Sequence, residues 1–228
     1  FFKPNLDYKS ATQQQIETMT GFIRQIREMM YEEGNKRGRP ILLAPRPPMS
    51  IDKCLHIGID IEQWLKEGLV DILPTGGGNI PYTMPSRDLV ELAHTYNVPV
   101  YPTISASGLR GRYGSSEAWR SGKLVVEEER EGDLLGRFGS AEAWRGVASN
   151  IWQAGADGVT TFNLFPDESK DPVLTTIGDP MTLNGLNKVF AVDNRPTFNG
   201  DLRQALEQSQ ILPVNLDDPG LPTRVILP

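Results

Sequence analysis

The chain has 228 residues, enough to bury a sizeable core in one domain. Apolar residues make up 39% and charged residues 23%, a globular balance, while a net charge of −6 without any basic cluster argues against non-specific nucleic-acid or anionic-membrane binding. The single cysteine, Cys54, excludes an internal disulfide framework and a cysteine-rich zinc site, no dinucleotide fingerprint or other cofactor or metal motif is present, and no apolar run approaches membrane-spanning length.

In chain order, Ser10 and Gln13 read as a capping box. The helix they open carries Ile16, Met19, Phe22, Ile23, Ile26, Met29 and Met30 at three-four spacing, with its stop near Gly34. Ile41 to Ala44 reads as a buried strand ending at Pro45-Arg46, which places Arg46 at a strand's carboxyl end. Pro47 to Gly58 reads as a loop in which Cys54 and His56 are structural rather than chemical. Asp60 caps a short helix with Ile61, Trp64 and Leu65, and Gly68 ends it. Val70 to Pro74 is the next strand, with Asp71 at its entrance, where a barrel keeps stabilising residues.

The exit of that strand is Thr75-Gly76-Gly77-Gly78-Asn79. It lacks the lysine and the immediate helix of a phosphate-binding P-loop. Two readings stand: close backbone approach to a ligand, with Tyr82 as a platform, or a plain flexible loop. A helix from Ser86 carries Leu89, Val90, Leu92, Ala93 and Tyr96 and stops at Asn97, and Val98 to Ile104 forms a strand with Ser105 leaving its carboxyl end.

One internal repeat follows. Residues 111–120, Gly-Arg-Tyr-Gly-Ser-Ser-Glu-Ala-Trp-Arg, return at 136–145 as Gly-Arg-Phe-Gly-Ser-Ala-Glu-Ala-Trp-Arg. A pair is too few for a solenoid. The second copy runs into a helix through Trp144, Val147, Ala148, Ile151 and Trp152, so residues 111–135 read as a loop insertion on the face where substrates bind. That helix meets Gly155 and the buried strand Val159 to Phe165, whose exit holds Asn163, Asp167 and Glu168. Asp179-Pro180 reads as the cap and first turn of a helix with Leu183, Leu186, Val189 and Phe190. Residues 201–228 read as a partly strand-like extension, and the opening Phe-Phe-Lys-Pro and closing Val-Ile-Leu-Pro as trimmed ends.

Strands alternating with helices mean α/β with a parallel sheet. The strand intervals and polar exits favour a TIM-type (β/α) barrel over a doubly wound sheet. A full barrel needs about 250 residues and eight strands. Residues 1–200, with four legible strands, therefore read as the carboxyl-side half of one.

Three segments resemble a known family: Gly-Ile-Asp-Ile-Glu-Gln-Trp-Leu-Lys-Glu-Gly-Leu-Val-Asp-Ile-Leu-Pro (58–74), Glu-Ala-Trp-Arg (142–145) and Gly-Ala-Asp-Gly-Val-Thr-Thr-Phe-Asn-Leu-Phe (155–165). They are similar to bacterial glycosyl-hydrolase-like TIM-barrel proteins related to family 10 glycosidases. The resemblance implies a barrel acting on carbohydrate and polysaccharide breakdown, for which a secreted or periplasmic setting is expected. It also implies an earlier barrel strand bearing acidic residues, ahead of Phe1-Phe2-Lys3.

Glycoside hydrolysis uses two carboxyl groups flanking the scissile bond. Glu168 and Asp167 are the catalytic candidates here, and Glu142 is a third whose alternative role is to complement a helix N-terminus. Arg46, Asn79, Ser105 and Asn163 would hold sugar hydroxyls and Tyr82 would stack on a ring. The competing class is a non-catalytic carbohydrate-binding barrel. A phosphate-binding barrel enzyme ranks last, because Phe162-Asn163-Leu164-Phe165 is too bulky for backbone amides to reach phosphate.

Overall fold

The computed structural model describes residues 10–76, 86–105, 141–162 and 173–190. The elements in chain order are α1 (Gln13–Lys36), α2 (Ile51–His56), α3 (Ile61–Lys66), β1 (Leu73–Thr75), α4 (Arg87–Thr95), β2 (Val100–Ser105), α5 (Ala141–Gln153), β3 (Thr160–Phe162), α6 (Leu174–Ile177) and α7 (Pro180–Leu183). Glu168, Asp167, Asn79, Tyr82, Asn163, the insertion at 111–135 and the extension at 201–228 lie outside the described residues.

The three strands form one parallel sheet in the order β1-β2-β3. Leu73 pairs with Val100, and Thr103 with Thr160, Ile104 with Thr161 and Ser105 with Phe162. Spatial order thus repeats chain order, with a helix in each crossover, which is the βαβ pattern expected of alternating strands and helices. Side chains alternate between faces along a strand. On one face Leu73, Val100 and Ile104 are buried in a core with Leu89, Val90 and Ala93 of α4 and Ala143, Val147, Ala148 and Ile151 of α5. On the other face the Thr103 and Thr160 hydroxyls share a hydrogen bond of 2.7 Å, Thr160 also donates to the carbonyl of Tyr101 at 3.2 Å, and Phe162 is half-buried.

Local chemistry explains where most elements start and stop. Asp60 accepts a hydrogen bond from the Gln63 amide at 3.0 Å and opens α3, and Asp179 accepts from Met181 at 2.7 Å and opens α7. Gly68 (φ 65°), Gly155 (φ 88°) and Asn97 (φ 57°) take the left-handed conformation that ends a helix. Trp64 donates its indole N–H to Thr20 at 3.0 Å, tying α3 to α1, and Trp152 does the same to the Ile177 carbonyl at 2.9 Å, tying α5 to α6.

Four expectations are corrected. The capping box of α1 is built by Thr12 and Gln15, two residues on, because Ser10 is bonded instead to Nδ1 of His56 at 3.0 Å. The helix itself ends at Lys36, close to the stop expected near Gly34. Ile41 to Ala44 forms no regular strand and is not buried: Leu42 and Ala44 are exposed, and among the described residues the run is tied to the next strand through Leu43, whose carbonyl accepts from the Asp71 amide at 2.9 Å. Residues 51–56 form α2 rather than loop, capped by Ser50 accepting from Lys53 at 3.3 Å. Finally, α7 ends at Leu183, and Leu186, Val189 and Phe190 continue without helix.

Candidate functional site at the strand carboxyl ends

The amino ends of the strands are committed to structure. Asp71, entering β1, accepts two hydrogen bonds from Arg27 of α1 at 2.5 and 2.8 Å and a third from the Leu43 amide at 2.7 Å. The Arg27 hydrogen bond, helped by the Leu43 amide and the guanidinium charge, outweighs burial and holds the Asp71 carboxyl below its ordinary range. Asp157, entering β3, repeats the arrangement. It accepts from the Val100 amide at 2.7 Å and pairs with His94 of α4 at 2.8 Å, while its own amide donates to the Val100 carbonyl at 3.0 Å. Burial pushes this carboxyl up, but the bonds from His94 and Val100 and the imidazole charge bring the net shift below the ordinary value. Both aspartates therefore pin the preceding segment's backbone to the next strand.

The carboxyl ends look different. Arg46 stands after the run Ile41 to Ala44, and its backbone is fixed on both sides: Leu43 is paired with Asp71, and the Pro47 carbonyl accepts from the Gly76 amide at 2.8 Å. Gly76 itself takes φ 87° directly after β1, a conformation that lets the chain turn out of the sheet there. From this position the Arg46 guanidinium reaches over the Phe162 ring, 4.4 Å from its centroid. Phe162 ends β3 and is the register partner of Ser105, the last residue of β2. Of the expected exits, Arg46 and Ser105 are thus at one end of the sheet with Phe162, while Asn79 and Asn163 lie outside the described residues. Sequence reasoning treated Phe162 only as bulk; its ring is the surface on which Arg46 rests.

Two buried hydroxyls accompany this end. Thr75 closes β1 and Ser86 precedes α4; each is almost completely buried, and neither side chain has a hydrogen-bond partner among the described residues. Ser86 sits in the N-cap position with helical backbone angles (φ −93°, ψ −13°) and makes no capping bond. Glu142 lies in the first turn of α5, where a carboxylate is favourable against the helix dipole. Its Oε1 is 3.8 Å from Arg145 and its carbonyl accepts from the Val189 amide at 2.9 Å, so it helps hold residues 187–190 against α5.

Cys54 and His56 are not a reactive pair. Cys54 is fully buried, its thiol weakly donating to the Pro48 carbonyl at 3.6 Å, and burial pushes its pKa up to about 12. Among the described residues no group of His, Cys, Asp and Glu side chains could hold a metal ion, and no helix is long and apolar enough to cross a membrane. No family model matches the chain, and no curated protein matches it.

Proposed function

We propose that the chain is part of a carbohydrate-active (β/α) barrel and acts as a glycoside hydrolase, with saccharide bound across the carboxyl ends of its strands. The observation that carries the reading is the division of labour between the two ends of the sheet. Asp71 and Asp157 are consumed by backbone bonds at the amino ends, whereas Arg46 is held over Phe162 at the carboxyl ends. Barrels place binding and chemistry at that second end. A cation with a planar donor edge beside an aromatic ring is suited to sugar hydroxyls and ring faces. The catalytic pair assigned from sequence is Glu168 and Asp167, with Glu142 in reserve, and hydrolysis requires one of the pair protonated and the other ionised.

The second reading is a carbohydrate-binding barrel without hydrolysis. It draws on Glu142, the one described candidate acid, whose contacts with Arg145 and Val189 are those of a helix-end residue. Hydrolysis assays on plant and bacterial glycans, with Glu168→Gln and Glu142→Gln beside the parent, separate the readings. A true catalytic carboxylate should lower kcat by orders of magnitude when amidated, with the fold intact. Binding without turnover by the parent favours the second reading; turnover undiminished in both variants removes these acids from the mechanism.

A further inference from the structure

We infer that Arg46 is an anion-recognition residue and that the saccharides bound at this end are acidic, carrying a carboxylate such as that of a uronic acid. The inference rests on reading the strand carboxyl ends as a carbohydrate site and names the class of sugar.

Among the described residues, two arginines that bridge elements are spent on protein carboxylates, and Arg87 and Arg145 donate to the backbone carbonyls of Gln153 and Asn187. Arg24 places two nitrogens on Glu67 and Arg27 two on Asp71. Arg46 is arranged otherwise. Its backbone is held by the Leu43 and Pro47 pairings on either side, and its guanidinium lies against Phe162, more than a hundred residues away in the chain. The contact occupies one side of the group with a hydrocarbon ring. It leaves five N–H donors for which no described residue provides an acceptor. A ring contact of this kind restricts the long side chain and so removes part of the entropy cost of binding. A guanidinium held in place with its donors unspent matches the two oxygens of a carboxylate, which a lysine cannot match.

The overall charge opposes such a ligand and so sets the demand on this site. The chain carries −6 overall, so an anionic ligand is repelled at long range and must be held by a local cation. Arg46 supplies that cation at an exposed position beside the half-buried Phe162 and the polar strand face of Thr103 and Thr160. Because the site is open to solvent, the gain from one pair is modest and sensitive to salt.

Calorimetric titration of the full chain with galacturonate hexamers, neutral xylo- and cello-hexamers and a sulfated carrageenan oligosaccharide, which carries sulfate but no carboxylate, tests this. The expected result is tighter binding of the galacturonate oligomer, weakening as salt is raised. Arg46→Ala should lower that affinity about tenfold and Arg46→Lys several-fold, while Phe162→Leu should lower it through loss of the ring contact. Affinity for the neutral oligomers should fall by a smaller factor than that for the galacturonate oligomer; an equal loss on both would overturn the carboxylate assignment. Thermal midpoints close to the parent's show that the variants are folded. Preference for the sulfated oligosaccharide would overturn the carboxylate assignment. Equal binding of acidic and neutral oligomers, both insensitive to Arg46, would overturn the inference while leaving the carbohydrate reading in place. Binding of none of them would overturn both.

Discussion

At Asp71 a single side chain joins three segments: α1 through Arg27, the run at Ile41 through the Leu43 amide, and β1 through its own backbone. Asp71→Ala would leave a partly buried guanidinium and a backbone N–H without their acceptor. The expected cost is about 2–4 kcal/mol, read from urea unfolding. The carboxyl titrates lower in the folded chain than in the unfolded one, so its contribution is complete above the ordinary value of 3.8 and fades as pH falls through the folded value. The stability gap between parent and Asp71→Asn should therefore be full at pH 6 and narrow below about pH 4. A gap that stays constant down to pH 2.5 would show that the carboxylate charge is not what matters. Thr75 is the opposite case. Its buried hydroxyl has no partner among the described residues, so Thr75→Val should be neutral or stabilising by up to about 1 kcal/mol. A loss of more than that would mean that the hydroxyl is bonded in solution.

The second aspartate clip shows that the arrangement belongs to the elements and not to one residue. In each case the helix before a segment provides a cation, the segment provides an amide, and an aspartate entering the next strand binds both. The cations differ: Arg27 is always charged, whereas His94 forms an ion pair only when protonated. Replacing His94 with Gln should thus cost less than replacing Arg27 with Gln, because His94 is also the more exposed of the two. Another element-scale constraint is at Gly146. A Cβ there would meet the Val189 carbonyl oxygen at 2.1 Å, so the segment after α7 lies directly on α5. Gly to Ala inside a helix ordinarily stabilises by about 1 kcal/mol. Gly146→Ala should instead destabilise, by roughly 1–3 kcal/mol, since the backbone of 189 must move. An increased thermal midpoint would contradict that packing.

Across the whole molecule, what could be read from sequence was what depends on neighbours in the chain. Asp60, Gly68, Asn97, Gly155 and Asp179 act within a few residues of themselves, and each marks the boundary read from it. The α2 helix escaped because six residues are too few to display a period, and the prolines before Ser50 suggest a loop. The run at Ile41 was misread for another reason: an apolar stretch does not say what covers it, and Leu42 is uncovered. The site was legible only in part. Arg46 and Ser105 do lie at one end of the sheet, although no regular strand leads to Arg46. The Arg46–Phe162 contact, however, joins residues whose proximity depends on the whole sheet. The pairing of aspartates with Leu43 and Val100 was hidden for the same reason, although the placing of Asp71 on the stabilising side was sound.

The central claim is that this sheet has a structural end and a binding end. Backbone amide chemical shifts recorded during titration with the glycan panel test it most directly. The account predicts perturbations gathered at Arg46, Gly76, Ser105 and Phe162, with Leu43, Asp71, Val100 and Asp157 unmoved. Perturbations gathered at those four amino-end residues instead would contradict it.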